Sequence, residues 1–564
     1  MSLSHAQPAS LHTSPRLAGG WGIAVLLAVM VAVTPFTRAA VQILGPGIGS
    51  MDRQQFTLIE LLVIMLAFFN RSVAVPPLRQ LPRPVLWLLA AWFVWAGLAV
   101  AFSPIPAISL TRQMEWTVHG LFGWALCAVF TTYPALKDAV PRWFVWGLLV
   151  YLMPIGLFLG SVSDPQHFPW LGAMVGFTNI RHFGHYAAIA LVAAYLPLLQ
   201  AGKGERPALA TWLILTILWG VVFWSGGRGP LLALFGSLAI LTLLGLVPLA
   251  RRLWGVTAVT ATAGALLSIP LTPPNGSFGF LHLAARSEIS DDLNRYSSGR
   301  IDIWRNLVEV IRDHPLFGMG PDQYRIATPD PTSWYALHPH NGPLQAALDW
   351  GIPGALLFFA GMLAAMLVTG TRLRARFDAH RLLGLWLLLM LLIFSCVSGT
   401  LYYALPVATM VIALALMVAG TEPAPAAKTG RPWMAVGLTG AAAAIFLLSC
   451  GSLAALNAPG IPAIDSARAR FLHAFPSAML SAGGGDRVNA WITQWRAEGR
   501  TDGYDWLDWT AALGSTPWNS MALKGQFLIE DGHEAAGWDW LEKAAARQHP
   551  LWQPPEARLS GAQG

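Results

Sequence analysis

The sequence predicts an all-α polytopic membrane protein with about 12–13 transmembrane helices, a large loop on one side of the membrane and a small helical C-terminal region. Three observations predict it. Of 564 residues, 55% are hydrophobic and only 12% are charged, against roughly a quarter charged in soluble domains. Apolar runs long enough to cross a bilayer recur as far as about residue 452. The basic residues between those runs gather on alternate loops, the asymmetry that orients membrane proteins.

Residues 1–20 are polar and carry Arg16; the run from Trp21 to Phe36 is read as a retained first span, because so many spans follow it. Further spans are expected near 56–70, 84–102, 116–133, 143–162, 184–200, 208–224, 230–249, 254–271, 344–368, 382–399, 402–419 and 433–452. With a cytoplasmic N-terminus, the cytoplasmic loops receive Arg71, Arg79, Arg83, Lys137, Arg142, Lys203, Arg206, Arg251, Arg252, Arg372, Arg374, Arg376, Arg381, Lys428 and Arg431. The short loops of the other side hold little beyond Arg38, Arg53, Arg112, Arg181 and Arg228. This alternation puts the 272–343 loop, and everything after about residue 454, on the non-cytoplasmic side. Residues 1–453 then form the membrane domain and 454–564 an external tail.

The tail is polar, rich in Trp, and reads as short helices. The segment from Met521 to His549, broken at Asp531-Gly532, has the pattern of one helical-repeat hairpin, and the tail is read as a small helical cap. The net charge of +7 follows from the loop arginines, so nucleic acid is not an expected partner. Cys127, Cys396 and Cys450 fall inside apolar runs, which argues against a disulfide framework or a metal cluster.

On the expected outer side, polar residues collect where spans begin. Arg181 precedes the span near 184, Ser225-Gly226-Gly227-Arg228-Gly229 precedes Pro230, and His338-Pro339-His340-Asn341 precedes Pro343. Each such span presents a helix N-terminus, with free N–H groups and the positive end of the dipole. Arg300 opens a further helix whose apolar positions Ile301, Trp304, Leu307, Val308 and Ile311 recur at helical spacing before Pro315. Arginine suits phosphate, since its planar fork stays charged and binds oxygens in pairs. Together these ends form an expected site for a strongly anionic group. His340 is the candidate base, its pKa expected to be lowered by the arginines and a helix N-terminus. His338 is expected to orient it or to contact substrate, with Asn341 as N-cap.

Other readings stay open at this level. The His-x-His pair is also compatible with a partial metal site, although no Asp-x-Asp pair accompanies it. His167, His182 and His185 are read as loop and interface residues. Gly45-Pro46-Gly47-Ile48-Gly49 follows no strand of a βαβ unit and is read as a loop, and Asp291-Asp292 as a solvated turn.

These motifs carry a family resemblance. Gly299-Arg300 with Trp304, then His314-Pro315-Leu316-Phe317-Gly318-Met319-Gly320, then His338-Pro339-His340-Asn341 and Leu344-Gln345 up to Trp350-Gly351 resemble the signature domain of the bacterial O-antigen ligase and polymerase superfamily. Ser225-Gly226-Gly227-Arg228-Gly229 is similar to its upstream arginine motif, and Asn179-Ile180-Arg181-His182-Phe183-Gly184 to a more variable one; the resemblance covers about 175–420. Members are GT-C-type membrane glycosyltransferases of the bacterial inner membrane. They take a glycan from an undecaprenyl-pyrophosphate carrier on the periplasmic side, without cofactor, metal or nucleotide sugar. The resemblance implies that Arg228 and Arg300, with Arg181, hold the pyrophosphate, that Ser225 and Asn341 line the site, and that His340 activates the acceptor hydroxyl. It implies O-antigen ligation to lipid A-core in lipopolysaccharide biosynthesis, with glycan polymerisation or protein O-oligosaccharyl transfer as alternatives. Asp349 stands where many relatives have Glu. A non-catalytic transporter or lipid-binding protein is the rival of another class; transporters place ionisable groups near the bilayer midplane, whereas here they gather at one mouth.

Overall fold

The computed structural model describes residues 20–36, 51–70, 73, 83–168, 177, 180–202, 205–273, 276, 278–287, 297, 299–324, 338–419, 433–474, 484–500, 503–513 and 517–548. Gly45 to Gly49, Asn179, Asp291, Asp292, Ser298 and the loop residues Arg38, Arg71, Arg79, Lys203, Lys428 and Arg431 lie outside them. The described residues form helices and turns, without a strand.

In order, the membrane helices are α1 (Trp21–Ala32), α2 (Met51–Phe69), α3 (Arg83–Ala101), α4 (Pro106–Thr132), α5 (Ala135–Gly160), α6 (Ile180–Ala194), α7 (Leu196–Gln200), α8 (Leu209–Trp224), α9 (Arg228–Leu243) and α10 (Ala250–Ser268). The large loop contributes α11 (Phe280–Ser287) and α12 (Arg300–Asp313). The bundle resumes with α13 (Gly342–Ala375), α14 (Ala379–Ser395), α15 (Ala404–Val418) and α16 (Trp433–Asn457). The tail adds α17 (Ala467–Ala474), α18 (Gly484–Ala497), α19 (Gly503–Leu513), α20 (Pro517–Glu530) and α21 (Glu534–Gln548). Among the described residues, 6 helices are long and apolar enough to cross a membrane, and shorter apolar helices accompany them. The chain is an all-α polytopic membrane protein.

Sequence pattern explains the layering. In the segment Ile180–Gln200, 89% of the residues in its most apolar stretch are buried, the behaviour of a helix enclosed by others. α15 is enclosed in the same way, with Ala404, Pro406, Ala408, Met410 and Ile412 all buried. Peripheral helices instead present large apolar side chains outward, among them Trp87, Val94, Val150, Met153, Leu157, Leu243 and Leu356, a surface suited to lipid tails. α6 packs on α5 and α8, and α15 on α4 and α14, so the inner helices form the frame on which the polar end is built.

α4 and α5 begin earlier than their apolar runs, at Pro106 and Ala135 rather than near 116 and 143. In α4 the polar first turns are held by the large loop. Ser109 donates to the Pro321 carbonyl at 3.0 Å, and Gln323 donates to the Ile105 carbonyl at 2.9 Å. Hydropathy registers only the apolar part of such a helix. The stripe of α12 also differs from the expectation: Ile303, Leu307 and Ile311 are buried, while Val308 is 52% exposed. An i, i+4 row faces the core, and Val308 lies just off it.

The Pro315–Pro321 turn locks into a break in α13. Gly351 has φ 69° and ψ 173°, a conformation that glycine tolerates and side-chain-bearing residues resist. The interrupted ladder finds partners in the turn: Met319 N–H donates to the Leu348 carbonyl at 2.7 Å, and Ile352 N–H to the Pro315 carbonyl at 2.8 Å. Trp95 Nε1–H donates to the Leu316 and Trp350 carbonyls at 3.1 and 3.0 Å. The buried backbone groups freed by the break are thereby satisfied, which membrane burial requires.

The tail packs against the end of the bundle that carries this loop. Ile108 of α4 and Leu456 of α16 join a core with Leu472, Trp491, Trp495, Leu507 and Phe527. α20 and α21 form an antiparallel hairpin around Gly532, with Gly525 and Gly537 at their crossing.

Candidate active site

The His338-Pro339-His340-Asn341 segment leads into α13 and is fixed at each residue. Asn341 is the N-cap: its Oδ1 accepts from Leu344 N–H at 3.0 Å, while its Nδ2 donates to the Cys396 carbonyl at 3.1 Å. The Pro339 carbonyl accepts from Trp304 Nε1–H at 2.8 Å, tying the segment to α12 one turn beyond Arg300. His340 has φ 53°, the left-handed region, which costs a non-glycine residue roughly 1–3 kcal/mol and persists only where the surroundings enforce it. Its backbone N–H donates to His338 Nδ1 at 3.2 Å.

His338 is buried at 1% exposure, and its Nε2 meets the Tyr403 hydroxyl at 3.1 Å. Its ring lies against Gly399: a Cβ there would stand 2.0 Å from His338 Cε1, so this position has room only for glycine. The His338 and His340 rings are 4.2 Å apart between centroids.

α6 supplies the opposite wall. The His182 ring is 4.4 Å from that of Tyr403, and His185 is 5.4 Å from His182. His185 Nε2 meets Ser398 Oγ at 3.1 Å, and its ring packs 4.6 Å from Phe394. His182 and His185, read from sequence as interface residues, thus belong to the histidine cluster; His167 does not, being exposed beside Asp164.

Two of the arginines, Arg300 and Arg181, lie within electrostatic reach of His340. Arg300 opens α12, and Arg181 lies in the first turn of α6. Arg228 opens α9, whose next residue presses on Phe394; a Cβ on Gly229 would lie 2.6 Å from that ring. This contact sets the start of α9 beside the His185 end of α6. Ser225 is fully buried, its hydroxyl donating to the Val222 carbonyl at 2.7 Å and packing on Gly184. It shapes the α8–α9 turn.

Burial, reinforced by Arg300 and then Arg181, pushes the His340 imidazole down from 6.5 to about 4. Burial also holds His338 well below its ordinary value, with His340, His182, His185 and Arg300 adding to the effect. Both rings are therefore neutral at pH 7, and His340 is able to accept a proton. Among the described residues, no three His, Cys, Asp or Glu side chains are placed to hold a metal together.

Sequence reasoning missed two features. Tyr402 and Tyr403 sit in the short turn between α14 and α15; the alternation of loops already put that turn on the side of His340. Beneath it lies an ion network. Arg53 grips Asp322 at 2.6 and 3.3 Å and Glu115 at 3.2 and 3.3 Å. Arg112 pairs with Glu115 and donates to the Leu401 and Tyr402 carbonyls at 3.0 and 3.4 Å. Asp349 is buried one helical turn past Gln345, within electrostatic reach of Asp322, Arg112 and Arg53.

No curated protein matches the chain. Residues 213–359 match the model of a family described as O-Antigen ligase, a segment that contains Arg228, Arg300, His338, His340 and Asn341. That match, confined to this segment, supports a likeness to the O-antigen ligase and polymerase superfamily and to its glycosyl-transfer chemistry.

Proposed function

We propose that the protein transfers a glycan from an undecaprenyl-pyrophosphate carrier to an acceptor hydroxyl at the periplasmic face of the bacterial inner membrane, as an O-antigen ligase acting on lipid A-core. The observation that carries this reading is the meeting of a neutral His340 with Arg300 and Arg181 at one mouth of the bundle; His340 and Arg300 lie inside the segment with the family match.

Arg228, Arg300 and Arg181 bind the pyrophosphate, helped by the N–H groups at the starts of α6, α9 and α12. The acceptor hydroxyl gives its proton to His340 as its oxygen bonds to the anomeric carbon. The bond from that carbon to the pyrophosphate oxygen breaks, and undecaprenyl pyrophosphate leaves with the electron pair. In-line attack inverts the anomeric centre. The arginines act where negative charge grows, so they lower the barrier more than they tighten the ground state. They supply the charge neutralisation that a divalent ion would otherwise give, and transfer proceeds without metal.

The test is transfer by purified, lipid-reconstituted protein from an undecaprenyl-pyrophosphate oligosaccharide, with chelator present and lipid A-core, carrier-linked glycan and a periplasmic protein as competing acceptors. Product on lipid A-core supports the ligase. Chain lengthening makes the protein a polymerase, and a glycoprotein product makes it an oligosaccharyltransferase. Donor binding without any product refutes catalysis.

A further inference from the structure

We propose that Tyr403 is a positioning residue for glycosyl transfer, acting through His338 to hold His340 in its left-handed backbone conformation. The inference rests on the reading of His340 as base and adds residues outside the family-matched segment 213–359.

One imidazole, that of His338, links Tyr403 to His340. A backbone N–H always donates, so the contact from His340 N–H at 3.2 Å makes His338 Nδ1 an acceptor without a proton. The neutral ring carries its proton on Nε2, which faces the Tyr403 hydroxyl at 3.1 Å. Tyr403 therefore accepts from Nε2–H and anchors the ring while Nδ1 serves His340. Both nitrogens of His338 are occupied inside the protein, which makes it a backbone clamp rather than a substrate ligand. Its bond to the N–H two residues on has the geometry that Asn and Asp use in an Asx turn.

The clamp is itself held from below. Arg112 carries the Leu401 and Tyr402 carbonyls at 3.0 and 3.4 Å and is only 2% exposed. His182 backs the Tyr403 ring at 4.4 Å, and the backbone at Gly399 admits the His338 ring. Without the hydroxyl, Nε2–H loses its acceptor while Nδ1 still accepts from the His340 N–H, so the ring is held at one nitrogen only and the clamp on His340 loosens.

Two measurements on the reconstituted full-length protein test this. The first is the ¹⁵N spectrum of the histidine rings, assigned through His338→Asn. Wild type is expected to show His338 as the Nε2–H tautomer, and Tyr403→Phe to keep that tautomer while the Nε2 resonance shifts and broadens as its hydrogen bond is lost. A wild-type Nδ1–H tautomer overturns the proposal, and this readout stands even if no transfer is found. The second is kinetic. Tyr403→Phe should lower kcat roughly 10-fold with donor KM unchanged. His338→Asn, which keeps an acceptor for the His340 N–H but does not reach Tyr403, should retain most activity where His338→Leu does not. In the His338→Asn background, Tyr403→Phe should then cost nothing more. An equal cost of Tyr403→Phe in both backgrounds makes its role packing alone and overturns the proposal. Absence of transfer by wild type refutes instead the glycosyl-transfer reading.

Discussion

The Arg53–Arg112–Glu115–Asp322 network and the histidine site share one end of the bundle and are joined through the 399–403 turn, yet they follow opposite rules of charge. The network sets two arginines against two carboxylates, with Arg53 reaching Asp322 at 2.6 Å and Arg112 paired with Glu115. The site draws together Arg181, Arg300, His182, His185, His338 and His340, so its character is cationic or neutral. A balanced buried cluster fixes geometry, because removing either sign leaves an uncompensated charge. A cluster of one sign suits a ligand of the other. The loops differ in the same way: Asp322 anchors the large loop to α2 and α4, and Trp304 steers it toward His340.

Substitutions should separate the two regions. The largest effect falls on the site: His340→Ala should lower transfer by roughly 10²–10⁴-fold, the usual worth of a general base, while thermal stability in detergent stays near wild type. Next comes the network. Arg53→Met should strip Asp322 of its close partner and leave Glu115 to Arg112 alone, destabilising the fold by about 3–5 kcal/mol, with transfer per folded molecule far less affected. A stable Arg53→Met protein with abolished chemistry would erase the distinction.

Arg300→Ala should weaken transfer by roughly 10–100-fold, as expected for a charge-assisted contact to the leaving group. It should also raise the His340 pKa. The sign follows from the cause: a histidine held down to about 4 stays neutral as pH falls through its ordinary range. The acid limb of kcat/KM should accordingly lie near 4, and activity at pH 5 should exceed that expected for a pKa of 6.5 by about 30-fold. Arg300→Ala should move that limb upward. An acid limb at 6.5 in wild type would mean that His340 lies in an ordinary aqueous environment. The smallest effect belongs to the link between loop and site. Trp304→Phe removes the bond to the Pro339 carbonyl and should cost about 1 kcal/mol, seen as a fall of a few-fold in kcat.

Much of this was legible in the sequence because a bilayer leaves the chain few options. Apolar runs had to be helices, and Asn341 before Pro343 could be read as a cap from residue type alone. Convergence of Arg181, Arg300 and His340 was only arguable from their common side; their meeting depends on α6 packing on α14 and α15, whose connecting turn sets Tyr403 between His182 and His338. Tyr403 and Arg112 were missed for a specific reason. In a hydropathy reading, a tyrosine between spans looks like an interfacial anchor and an arginine at a span's end looks like a topology marker. Their hydrogen bonds run to residues far along the chain, which no local pattern records. The burial of α4's polar first turns escaped for the same reason, since the partners of Ser109 lie in the large loop.

The most direct test of the central claim is a paired measurement on wild type and His340→Ala in lipid: equilibrium binding of the undecaprenyl-pyrophosphate donor, and single-turnover transfer to an acceptor. The account predicts that the variant binds donor about as tightly as wild type, because the arginines remain, and transfers almost nothing. Transfer by His340→Ala at the wild-type rate, in folded protein, would contradict it.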